Sequence, residues 1–157
     1  MSDRTRNAPR SPRRAETLRR VVEAANDRRD GTAPMDLPGV ADTFGDESDL
    51  VAALQLRWHT RLAGRIDRAL MDHPTDREAA VVEAWRRTAD DLAGVRAVLD
   101  RAAAKPADAT MAAATATARR KEHALLAAMA GLAGAYDPTG PAAGDQLEQR
   151  ARSGCAA

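Results

Sequence analysis

Between residues 48 and 72, six large apolar side chains recur at a strict spacing of four: Leu50, Leu54, Trp58, Leu62, Ile66 and Leu70. Four residues is just over one helical turn, so they form a continuous ridge along one side of a helix. Such a ridge must be covered by other apolar surface. The chain has one Phe, one Tyr and two Trp, and much of its 44% apolar content is Ala. Small side chains bury little area each, so the cover is expected from other long helices packed closely. No stretch alternates with strand periodicity, and 157 residues suit one domain. The expected fold is all-α: an antiparallel helical bundle of three long helices plus a short N-terminal helix, with disordered termini.

Boundaries follow from capping and breaking residues. Residues 1–11 are polar and basic and read as a disordered arm. Ser11-Pro12 reads as a cap and first turn for a short helix over 12–29, with Leu18, Val21, Val22 and Ala25 on one side. Residues 30–47 form an acidic Pro/Gly loop that Met35, Leu37, Val40 and Phe44 are placed to pin down. The bundle core is expected over 48–136. Ser48 is taken as the cap of the second helix, and His73-Pro74 as its end. Thr75-Asp76-Arg77-Glu78 matches a capping box and opens a third helix, unbroken to Ala104. Val82, Trp85, Ala89, Leu92, Val95 and Leu99 make its apolar face. A fourth helix covers 108–135, Thr-rich and weakly apolar at first, then firm at Leu125, Leu126, Met129 and Leu132. Residues 137–157 read as a disordered tail with a helical turn near Leu147.

The short turn near residue 74 makes helices two and three a hairpin in which facing positions have a constant index sum of about 148. Arg65 is then expected to meet Glu83, and Arg57 to meet Asp90 or Asp91. Trp58 is expected against Ala89, and Trp85 against Ala63 and Gly64. The stripe of Arg57, Arg61, Arg65 and Arg68 reads as half of a salt-bridge ladder. Its alternative is a phosphate-binding face, because Arg61 and Arg68 have no acid across the hairpin.

Several chemistries find no footing. His59, His73 and His123 are the only histidines. None closes a Glu-x-x-His or His-x-x-x-His motif, so no metal is expected. Glu122 and His123 are helical neighbours in sequence and point apart, so they are not read as a catalytic pair. Cys155 is the one cysteine, which excludes an internal disulfide and suits a cytoplasmic setting. No apolar run is long enough to span a membrane, and no secretory signal is expected. No enzyme activity and no cofactor are expected.

Net charge is +1, but residues 1–20 carry seven Arg and residues 36–49 carry five acids and no base. Arg outnumbers Lys 22 to 2, as in a GC-rich genome. The leading expectation is a non-enzymatic interaction protein that binds a protein partner or forms a homodimer. Its docking face would be the Ala-rich side of the last helix, at Met111, Ala114 and Ala118. The alternative is an accessory nucleic-acid binder. It would use Arg4, Arg6, Arg10, Arg13 and Arg14 as an arm, and Arg119, Arg120 and Lys121 as a second contact. A small-molecule cavity between Trp58 and Trp85 is a third possibility, although nothing polar converges there.

Overall fold

The computed structural model describes the backbone of residues 10–154 and the side chains of residues 12–154. Within them the chain is helical, without a strand. The elements are α1 (Arg10–Arg28), α2 (Val40–Phe44), α3 (Glu47–Asp72), α4 (Arg77–Asp91), α5 (Ala93–Ala104), α6 (Ala109–Ala130) and α7 (Gly140–Ser153). The main helix pairs are α3 with α4 and α6 with α7; α5 joins them and carries α1 on its other side.

The ridge on α3 is the centre of the core. Leu50, Leu54, Trp58, Leu62 and Ile66 are wholly buried, and Leu70 is half-buried near the helix end. The cap of α3 is Asp46 rather than Ser48: its carboxylate accepts from the Asp49 amide at 2.9 Å. Asp76, not Thr75, caps α4 in the same way, accepting from the Ala79 amide at 3.1 Å. This shift of one residue dissolves the expected capping box. Glu78 instead pairs with Arg150 on α7 at 2.7 Å. In both cases a carboxylate takes the position beside the positive helix end that a hydroxyl was expected to fill.

The segment before α3 is fastened along its length. Val40 and Phe44 are buried, and Met35 and Leu37 pack against the core. Arg28 grips Asp36 with two hydrogen bonds of 2.7 Å, and Arg20 donates to the Pro38 carbonyl. Arg14 donates to the Thr43 carbonyl and lies 4.5 Å over the Phe44 ring.

The expected single helix to Ala104 is broken at Leu92, whose backbone leaves the helical region at φ −119° and ψ 37°. The repair comes from α1. The Asn26 side-chain oxygen accepts the Gly94 amide at 2.9 Å, and its nitrogen donates to the Asp91 carbonyl at 3.0 Å. One amide thus satisfies the first turn of α5 and the last of α4. Gly94 allows the approach, since a Cβ there would overlap the Ala25 carbonyl on α1.

The end of the chain differs most from expectation. Gly131, at φ 78°, closes α6 in the left-handed conformation that glycine adopts without strain, so Leu132 falls outside the helix and is half exposed. The residues beyond it are not a tail. α7 buries Gly140, Gly144, Leu147, Glu148 and Ala151 on one face. Gly144 presses against α6 so closely that a Cβ would overlap the His123 carbonyl. Two arginines of α4 tie down the ends of this pair. Arg77 donates twice to the Met129 carbonyl, and Arg86 donates to the carbonyls of Ala151 and Arg150. Of the three expected long helices, α3 and α6 are present, the one between them is divided into α4 and α5, and α7 is added. Among the described residues, no helix is long and apolar enough to cross a membrane.

Candidate functional site

A groove of about 690 Å³ lies between α3 and α4. From α3 it is lined by Arg57, Arg61, Arg65 and Arg68, and from α4 by Arg87. The ridge explains the placement: Trp58, Leu62 and Ile66 point into the core, so the arginines a residue or more away flank the seam and face the opening. The hairpin does not keep the expected register. Trp85 meets Trp58, while Asp91 bonds both Arg61 and Arg65. The contacts between α3 and α4 therefore depart from a constant index sum, although the two helices remain packed along the groove.

The charges pair differently from the expected ladder. Glu83 turns to Arg87 on its own helix at 2.8 Å, and Asp76 is occupied as a cap. Arg65 uses its outer nitrogen on Asp91, while its Nε is buried without a hydrogen-bond partner. Arg61 does have an acid across the hairpin, contrary to expectation, at 3.2 Å. Arg57 does not meet Asp90 or Asp91. Among the described residues, Arg57 and Arg68 form no ion pair, and both are exposed. The groove therefore presents uncompensated guanidinium groups beside compensated ones.

The residues singled out from the sequence are dispersed. Met111 is buried in the core, where its sulfur accepts the Ala107 amide; Ala114 is exposed and Ala118 half-buried. An outward face built on all three does not exist in this fold, because Met111 points inward. Arg4 and Arg6 lie outside the described residues, as does the side chain of Arg10. Arg13 is exposed, and Arg14 is engaged with Thr43 and Phe44. Arg119, Arg120 and Lys121 are exposed on α6. Among the described residues, helices α1 and α6 make no direct contact.

The two Trp rings meet edge to face with centroids 5.6 Å apart, so the space proposed as a cavity is filled by the rings themselves. Each carries a guanidinium: Arg96 sits 4.6 Å over Trp58, and Arg152 sits 4.9 Å over Trp85. Trp85 Nε1 donates to the buried Glu122 at 3.1 Å, and Arg96 approaches the other oxygen of Glu122 at 3.5 Å. Arg96 and Arg152 share Asp100. Arg152 also donates to buried Glu148 at 2.7 Å, and the other oxygen of Glu148 lies 2.5 Å from His123 Nε2. As expected, Glu122 and His123 serve different partners. Burial alone would raise the Glu148 pKa; the bonds from His123 and Arg152, with the charges of Arg152 and Arg96, overcome it and hold the value down to about 2.

Among the described residues, one group of three side chains has donor atoms close enough to share a metal ion: His123, Asp145 and Glu148. Sequence reasoning missed it because it sought both ligands on one helix. Here the histidine comes from α6 and the carboxylates from α7. The Asp145–Glu148 spacing of three was a usable signal only once 140–153 was known to be helical. No family model, curated protein or solved structure gives a match to this chain.

Proposed function

We propose that this chain is a non-enzymatic accessory protein that binds a phosphate-bearing polyanion of the nucleic-acid type in the α3–α4 groove. The observation that carries this reading is the pair of exposed, unpaired arginines, Arg57 and Arg68, in a groove with three further guanidinium groups along its walls. Phosphate is the natural complement of several planar guanidiniums at one opening. No Tyr or Phe lines the groove, which favours backbone contacts over base stacking. Arg119, Arg120 and Lys121, and the arm arginines named above, would add non-specific attraction.

The test is a fluorescence-anisotropy titration of the full chain with labelled generic RNA and duplex DNA at low and near-physiological salt. The wild type should bind at low salt and weaken steeply as salt rises. Arg57→Ala with Arg68→Ala should weaken binding to all sequences alike and lower the salt slope by about two. Both side chains are exposed and unpaired, so the fold should survive. Absence of binding at low salt, or an unchanged slope in the double variant, would overturn the proposal.

A second reading, association with a protein partner or a second copy through α6, draws on one observation. Residues 109–118 carry no charge, and apart from Met111 they are exposed or half-buried. Sedimentation across a wide concentration range tests the second copy. An Ala114→Glu variant should shift any dimer to monomer, and a strictly monomeric wild type would remove that form of the reading.

A further inference from the structure

We propose that His123, Asp145 and Glu148 form a binding site for a single divalent transition ion of the zinc class at the crossing of α6 and α7. Their donor atoms all lie within 4.8 Å of one another. His123 Nε2 is 2.5 Å from Glu148 Oε2 and 3.8 Å from Asp145 Oδ1. Zinc binds nitrogen and oxygen donors at about 2.0–2.2 Å, so three such donors around one ion stand somewhat over 3 Å apart. The His–Asp distance is near that already. The His–Glu pair must open by about an ångström to admit an ion between them.

Each carboxylate is oriented from behind. Glu148 gives Oε1 to Arg152 at 2.7 Å and turns Oε2 to the histidine. Asp145 gives Oδ2 to Gln149 at 2.5 Å and turns Oδ1 to the same nitrogen. Outer partners that fix the free oxygens in this way are what a metal site requires. The backbone adds a further constraint, because Gly144 sits against the His123 carbonyl and brings α7 to the histidine without an intervening side chain.

The charge balance points the same way. The connected cluster holds the carboxylates of Asp100, Glu122, Asp145 and Glu148 against the guanidiniums of Arg96 and Arg152. The carboxylates outnumber the guanidiniums by two, and two of the four, Glu122 and Glu148, are buried. One divalent cation would balance that excess. Exposed Arg119 lies at the rim of the small crevice that Glu122 and Glu148 line, and it forms no ion pair with either among the described residues. Asp145 is about two-fifths exposed, which gives the ion a way in and a side on which solvent can complete its coordination.

The experiment is calorimetric titration of untagged, chelator-stripped full-length protein with zinc chloride alone, beside Asp145→Asn and His123→Gln. The expected result is one ion per chain and a zinc-dependent rise in Tm. Asp145→Asn should weaken the Kd by at least about tenfold, since it replaces an anionic carboxylate ligand with a neutral amide. Cobalt(II) should give visible bands of a four-coordinate nitrogen and oxygen site that His123→Gln abolishes. Should the buried His123 variant fail to fold, the partly exposed Asp145 variant decides alone. No zinc uptake, or uptake equal in Asp145→Asn, meaning an adventitious ion only, would overturn the proposal. This outcome is independent of whether the arginine groove binds a polyanion.

Discussion

Asn26 belongs to α1, yet it closes the ends of two other helices, with one hydrogen bond to Gly94 and one to Asp91. Replacing it with Ala leaves an amide of α5 and a carbonyl of α4 without their partner. The expected loss is about 1–3 kcal/mol, read from urea denaturation. Asn26→Asp keeps the acceptor and drops the donor, so it should recover only part of that loss; full stability in Asn26→Ala would mean that solvent closes the break equally well. Nothing in the sequence marks this role, because the partners lie 65 and 68 residues away.

Glu148 was equally hidden, in a stretch whose only large apolar residue is Leu147. Its carboxylate stays charged down to about 2 in the fold, against an ordinary value of 4.5. The unfolded chain therefore takes up the proton first as pH falls. The stabilisation is complete above about 4.5 and disappears progressively between 4.5 and 2. In metal-free protein the urea midpoint should drop across that interval, and Glu148→Gln should flatten the drop.

Among the elements, the buried ridge of α3 was legible, though not its cap, because one periodic signal ran its length and tertiary structure only had to cover it. The α4–α5 break was not. Leu92 continues the apolar period of Val82, Trp85 and Ala89, so the pattern reads straight through a bend that another helix imposes. α7 was missed for the opposite reason: its buried face is made of Gly140, Gly144, Leu147, Glu148 and Ala151, mostly small or charged. A helix that packs through glycine contact and ion pairing leaves little hydropathic trace. The groove was half legible, since the arginine stripe was visible but the pairing of its acids was not. The two glycines Gly144 and Gly64 should respond oppositely to substitution. Gly144→Val forces a side chain into the His123 backbone and should cost about 1–3 kcal/mol. Gly64, inside α3 with nothing within 4 Å of a would-be Cβ, should become more stable by about 0.5–1 kcal/mol as Ala. Urea midpoints of the two variants check both signs.

At the scale of the whole molecule, a single core runs from Val21 on α1 to Ala151 on α7. Unfolding should therefore be one transition, with tryptophan fluorescence and helical circular dichroism superimposing. Separate midpoints would mean that the α6–α7 pair melts apart from α3 and α4. The arginine content, which composition alone could not interpret, also resolves at this scale. Arg14, Arg20, Arg77 and Arg86 donate to backbone carbonyls, and Arg96 and Arg152 cover the indole rings. Much of the positive charge is thus structural.

The tryptophan pair has an optical consequence. Two indoles 5.6 Å apart with planes at 70° are close enough, and oblique enough, for their transition dipoles to couple as excitons. Their split band falls in the same far-ultraviolet region used to measure helix. Trp85→Phe should therefore change that spectrum without unwinding a turn, and the band itself reports whether α3 and α4 remain packed at the two indoles.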